Sequence, residues 1–169
     1  MFKRYKALPG WLRWGLEILL VMFIIFVIRS YQSPTLESST APDFSGVTLA
    51  GDQVSLAGYA GEPLLLVVWA EWCHICSIEL PMLTGLLDDH QVLTLAIQSG
   101  SDDQVRQFLY EQQLSHLPVL NDSNGELASA LGVRGVPVMY IIDSSGQIRF
   151  TEVGLTSSWG LRARLWWVG

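Results

Sequence analysis

Residues 64–76 read Leu-Leu-Leu-Val-Val-Trp-Ala-Glu-Trp-Cys-His-Ile-Cys. The first seven form a near-continuous apolar run, as expected of a strand covered on both faces. A helix is expected to begin around Cys73 and reach Leu87, with Pro81 kinking it. That context gives the Cys73-x-x-Cys76 spacing its meaning, because a buried strand delivers the first cysteine to a helix N-terminus. Unpaired N–H groups and the helix dipole favour an anion there. They lower the thiol pKa and raise the thiolate fraction of Cys73. Cys76, one turn later, is expected to be more buried and within disulfide reach, since i and i+3 share a helix face. The chemistry that follows is exchange. Cys73 attacks a substrate disulfide, Cys76 resolves the mixed disulfide, and the same steps in reverse oxidise a substrate.

Other uses of two cysteines fit less well. A structural disulfide over so short a loop contributes little chain-entropy stabilisation. Structural zinc takes four ligands, and the two cysteines of this chain form a single C-x-x-C, so His74, His90 and His116 would have to complete the site through the fold. A copper(I)-binding or copper-shuttling module using Cys73, Cys76 and His74 is the alternative from another class, because thiolate is a soft ligand. Exchange itself needs no cofactor, since the cysteines carry the electrons.

The flanking residues admit two readings each. His74, as a cation, stabilises the thiolate and makes the disulfide more oxidising; otherwise it is a solvated loop histidine. With Trp72 and Ile75 it surrounds the sulfurs and is expected to tune the potential. Glu79 either sits beneath the disulfide and shuttles the Cys76 proton or is an exposed helix carboxylate. Pro137, in Gly135-Val136-Pro137, is either a cis proline that leaves Val136 backbone groups free to pair with an extended substrate or an ordinary trans turn proline. Trp69, Trp72, Met82 and Met139 read as packing residues, although the two methionines would also suit copper(I). His90 and His116 read as surface or turn residues.

Outward from this centre the chain is asymmetric. Of 169 residues half are hydrophobic. Residues 1–30 carry Lys3, Arg4, Lys6, Arg13 and Arg29 against Glu17 alone, while the remainder carries five Arg, no Lys and fifteen Asp or Glu. So acidic a body repels phosphate, which argues against nucleic-acid binding. Ile18–Ile28 is unbroken apolar sequence, and Trp14 to Tyr31 makes eighteen residues, near the lower limit of the ~20 needed to span a bilayer. Trp11, Trp14 and Tyr31 stand where interfacial aromatics sit. The run ends in RSYQSPTLESS, without a small-x-small cleavage site, so an uncleaved anchor is expected over 14–31. The basic residues 1–13 would then stay in the cytoplasm and the body would lie outside it, across a bacterial inner membrane and in the periplasm, where disulfide chemistry operates. Residues 32–43 read as a linker and 44–169 as one domain.

Within that domain, Gly51-Asp52 signals a hairpin between 44–50 and 53–56, and 92–97 a buried strand. Ser101 with Gln104 resembles a capping box for a helix to about Gln113. A short helix over 126–131, a second hairpin formed by 138–142 and 147–150, and a last helix capped by Ser157 or Ser158 complete the reading. The order suggests an α/β fold with a mixed sheet and helices on both faces.

Together, W-C-x-x-C after an apolar strand and Val136-Pro137 before a later one resemble the thioredoxin superfamily. The run Cys73-His-Ile-Cys76-Ser-Ile-Glu79-Leu-Pro81 is similar to the C-x-x-C-x-x-E-x-P pattern of its membrane-anchored branch, which includes the TlpA, ResA and cytochrome-c-maturation thioredoxins. The segments LAIQSGSDD, LPVLND, GVRGVPVMYIID and LRARLWW resemble the suppressor-of-copper-sensitivity D type. The resemblance implies a thioredoxin fold with a leading hairpin, a cis Pro137 and an acid–base Glu79. It also implies protein thiol or disulfide substrates linked to copper stress or cytochrome c maturation, and a transmembrane DsbD-like donor of reductant. His74 stands where many members carry proline.

Overall fold

A computed structural model describes residues 10–32 and 39–169. The chain divides into two units, residues 1–33 and 34–169.

In the first unit, α1 (Gly10–Gln32) is a helix of 23 residues. Its described apolar side chains, from Trp11 to Val27, are exposed. Among the described residues no helix is long and apolar enough to cross a membrane. The expected anchor over 14–31 extends past the described side chains, which stop at Val27. Lys3, Arg4, Lys6 and the linker residues 33–38 lie outside the described residues.

The second unit is built on β3 (Leu64–Trp69), whose six residues are all buried. It runs parallel to β4 (Gln91–Ile97) on one side and antiparallel to β6 (Val138–Ile142) on the other. β5 (Val119–Asp122) pairs parallel to β4, and β7 (Ile148–Val153) antiparallel to β6, giving the mixed order β5-β4-β3-β6-β7. Burial throughout β3 requires cover on both faces of the sheet. The helices α2 (His74–Leu83), α3 (Asp102–Glu111), α4 (Glu126–Ala130) and α5 (Ser158–Val168) connect or follow these strands. A separate hairpin, β1 (Ser45–Val47) with β2 (Gln53–Ser55), precedes them. Its turn places Gly51 at φ +98°, a conformation other residues adopt only with strain.

The local devices follow the sequence closely. Ser101 and Gln104 form both halves of a capping box on α3, and Ser157 caps α5 by accepting from the Gly160 N–H. Three differences stand out. The helix after the cysteines ends at Leu83, because Thr84 donates its hydroxyl to the Pro81 carbonyl and a 3-10 turn replaces the last α-turn. Strand β5 is absent from the sequence reading. It holds only four residues, follows Pro118 and ends in Asn-Asp, which is turn chemistry. Ser39–Ala41, read as linker, already pairs with the β6–β7 turn: Ala41 N–H donates to the Gly146 carbonyl at 3.0 Å and Ile148 N–H to that of Ser39 at 2.6 Å.

The β6–β7 turn is held by Asp143. Burial alone would raise its carboxyl, but hydrogen bonds from Ser145, Gln147 and Arg149 outweigh that and hold it far below the carboxylate range. In the core, burial pushes the Tyr140 phenol upward, and its hydroxyl donates to the Leu131 carbonyl at 2.8 Å. Tyr140→Phe leaves that carbonyl without its buried donor. Urea denaturation should show a loss of about 1–2 kcal/mol; an unchanged midpoint would mean that the carbonyl finds another partner.

Candidate functional site

Chain direction places the site. β3 ends at Trp69, Ala70 follows, and a turn of two residues brings Cys73 to the N-cap of α2. Two contacts fix that turn to the end of the neighbouring parallel strand. The hydroxyl of Ser99 accepts the Glu71 N–H at 3.0 Å and donates to the Ile97 carbonyl at 2.9 Å. The indole of Trp72 donates to the Gln98 carbonyl at 3.2 Å. Gln98 has φ +46°, a left-handed conformation uncommon for a residue with a side chain. The carboxyl ends of adjacent parallel strands are where open α/β sheets place their sites.

Cys73 and Cys76 form a disulfide, their Cα atoms 5.3 Å apart. The Cys76 N–H points at the Cys73 sulfur from 3.2 Å, so the sulfur takes the place of an N-cap oxygen. Once reduced, a thiolate there accepts a charge-assisted bond at the positive end of the helix. Cys73 is 8% exposed and Cys76 fully buried, so only the first sulfur has an edge toward solvent. The Val136–Pro137 peptide bond is cis, and the Val136 carbonyl lies 3.7 Å from the Cys73 sulfur. With the disulfide closed no S–H exists, so this is a proximity and not a hydrogen bond. A cavity of about 280 Å³ is lined in part by Trp72, Gln98, Gly125, Ser129 and Val136.

Glu79 shares the α2 face of Cys76, three residues on, and it is 1% exposed. The exposed-carboxylate reading therefore does not hold. One carboxylate oxygen accepts the Thr156 N–H at 2.8 Å, and the other is buried without a hydrogen-bond partner. Burial pushes the carboxyl up to about 7, with the Thr156 N–H opposing part of the rise.

The remaining expectations divide. His74 and Ile75 are exposed beside the disulfide. Trp69 is buried and stacks on Phe108, centroids 5.4 Å apart, and Met139 is buried in the sheet. Trp72 and Met82 are not core residues. Trp72 is 61% exposed, held by its N–H alone, and Met82 joins Ile75 and Ile78 on the outer face of α2. Packing predicted from side-chain type fails there because the turn and the i, i+3, i+7 face point outward. His90 is half-buried and His116 exposed. Among the described residues no group of three or more His, Cys, Asp or Glu gathers to hold a metal. Three contributors escape the sequence reading. Gln98 and Ser99 lie in a visible turn signal but act through backbone and hydroxyl geometry. Thr156 contributes only its amide, which no side-chain pattern reveals.

The chain's likenesses agree with this geometry. A sequence profile described as the AhpC/TSA family matches residues 38–151. The thiol:disulfide interchange protein DsbE of Vibrio cholerae is 35% identical over 125 residues, covering 73% of this chain and 68% of that protein. The thiol-disulfide oxidoreductase ResA of Geobacillus thermodenitrificans is 29% identical over 131 residues, 75% of each chain. Among solved structures, the exposed lipoprotein thioredoxin Etrx1 of Streptococcus pneumoniae superposes with a TM-score of 0.68 at 27% identity, covering 73% of this chain and 98% of that one.

The buried Glu79 makes stability depend on pH. Between about pH 4.5 and 7 the folded protein keeps a proton that the unfolded chain has released. Stability therefore falls as pH rises through that window and levels off above it. Glu79→Gln removes the effect. Denaturation at pH 5 and pH 8 should show the variant gaining ~1–2 kcal/mol on the wild type between the two, after allowance for residual screening. An equal difference at both pH values would mean a solvated carboxyl.

Proposed function

This chain belongs to the AhpC/TSA family and is a thiol–disulfide oxidoreductase, and from that we propose how it works and where. The observation that carries the mechanism is the closed Cys73–Cys76 pair at the start of α2, its outer sulfur beside the Val136 carbonyl. In the reduced protein Cys73 is the nucleophile. Its thiolate attacks one sulfur of a substrate disulfide, that S–S bond breaks, and the other substrate sulfur leaves as thiolate. Cys76 loses its proton to Glu79 and attacks Cys73. The mixed disulfide breaks, the second substrate sulfur leaves, and the two electrons remain with the substrate while Cys73–Cys76 becomes oxidised. Glu79 suits the proton step because a carboxyl near 7 exchanges protons at neutral pH. The backbone of Val136, turned by Pro137, positions an extended substrate segment. The exposed apolar side chains of Trp72 and Ile75 beside the cysteines, continued along α2 by Ile78 and Met82, suit a polypeptide rather than a small charged thiol.

The setting rests on the first unit. Residues 14–31 form a single-pass anchor, supported by eighteen residues of mainly apolar sequence, the basic flank before them and a 23-residue helix across the same stretch. The catalytic domain then faces the periplasm. A transmembrane DsbD-like protein supplies reductant, and the substrates are oxidised cysteines of proteins in copper stress or cytochrome c maturation. Trp72, His74 and Ile75 tune the direction. With His74 beside the nucleophile, the reduction potential should be more oxidising than the ~−270 mV of thioredoxin, and His74→Ala should lower it. Equilibration against glutathione measures both; a wild-type value at or below that figure would remove the role of His74.

The mechanism is tested with Cys76→Ser. Nucleophilic attack remains and resolution is lost, so a species linked to substrate through Cys73 should accumulate on non-reducing gels and vanish with dithiothreitol. If no adduct forms, Cys73 is not the attacking sulfur.

A further inference from the structure

One surface of the domain takes no part in exchange. On α5, Leu161 and Leu165 are buried, while Trp159, Trp166 and Trp167 are 82%, 79% and 76% exposed. Trp159 and Trp166 are seven residues apart and share the outward face. An indole left in water presents a large apolar surface with a polar N–H at one edge, the form that suits a bilayer interface.

The direction of α5 separates these tryptophans. Its start lies at the redox end of the sheet, where Thr156 binds Glu79. Its end lies at the other, where Gly169 sits against Pro63, just before the residue of β3 that pairs with Ile142. Trp167 and Val168 line a cleft there with Asp143 and Arg149. Asp143 holds the β6–β7 turn, and it is on this turn that Ser39–Ala41 enters the domain. Trp166 and Trp167 thus stand at the pole where Ser39–Ala41 joins the domain, and Trp159 stands about 10 Å back along the helix axis.

The distance available is short. Ser39 follows the last residue of α1, Gln32, by seven positions, a reach of at most about 25 Å even fully extended. Charge does not supply the attraction. Arg149 and Arg164 are paired with Asp143 and Glu152, and the body of the chain is acidic.

We infer that Trp166 and Trp167 form a membrane-contact patch that enters the phospholipid interface, at the end of the domain's sheet opposite Cys73. The occupant is the interfacial layer of zwitterionic phospholipid, and the contact is aromatic rather than coulombic. This inference rests on the reading of residues 14–31 as an anchor.

The test uses the full chain in phosphatidylcholine vesicles, with Trp11→Phe and Trp14→Phe to silence the anchor. The probe is phosphatidylcholine brominated on its upper acyl carbons, which quenches tryptophan emission at the interface. Quenching should fall by at least about half in Trp166→Phe/Trp167→Phe, remain unchanged in Trp159→Phe and Trp72→Phe, and be insensitive to salt. Equal quenching in the background chain and the double variant overturns the patch. So does a chain that floats with the vesicles, is unquenched and cross-links in pairs, since a second copy would then cover the face. A chain that does not float at all overturns the anchor, and the patch with it.

Discussion

The amide of Cys76 points at the sulfur of Cys73 from 3.2 Å, and much of the molecule serves to keep that geometry. A helix start needs acceptors for its first N–H groups. Here the acceptor is the Cys73 sulfur, so the same contact that begins α2 also favours an anion at that atom. The sulfur cannot drift without loosening the first turn. Its position is inherited from β3, a strand with no exposed residue, which leaves the end of the sheet little freedom. Ser99 and Gln98 then fix the connecting residues from the next strand.

A second constraint ties the cysteine helix to the segment that follows β7. Glu79 and Thr156 are far apart in the chain, yet the amide of one holds the carboxylate of the other. Burying a carboxyl with one partner and one unpartnered oxygen is costly. The cost shows as a carboxyl pushed up to about 7. A fully hydrogen-bonded carboxylate such as Asp143 is held on the opposite side of the scale. The two acids show one fold setting two carboxyls on opposite sides of the ordinary range through burial and the number of donors each receives.

What the sequence made legible was whatever periodicity and short-range chemistry encode. The apolar run 64–70, the capping box at Ser101 and the turn glycines led directly to β3, α3 and the hairpins. The two cysteines were legible from spacing and context, and Val136-Pro137 and Glu79 acquired roles through a family resemblance. Strand β5 was not legible, because four residues ending in Asn-Asp pair only through the edge of β4. The exposure of Trp72 was not legible either. Side-chain type predicts burial on average, but direction depends on where a turn points. The partner of Glu79 was hidden most deeply, since a backbone amide looks the same at every position.

The burial of Cys76 has a kinetic meaning. On the proposed mechanism, once a client protein is joined to Cys73, the sulfur that frees it lies beneath the surface, within one turn of helix. Outside thiols can still attack the mixed disulfide at Cys73, but they have no route to the inner sulfur. The inner sulfur keeps Cys73 as its partner, and its attack competes with outside thiols as a step within one molecule.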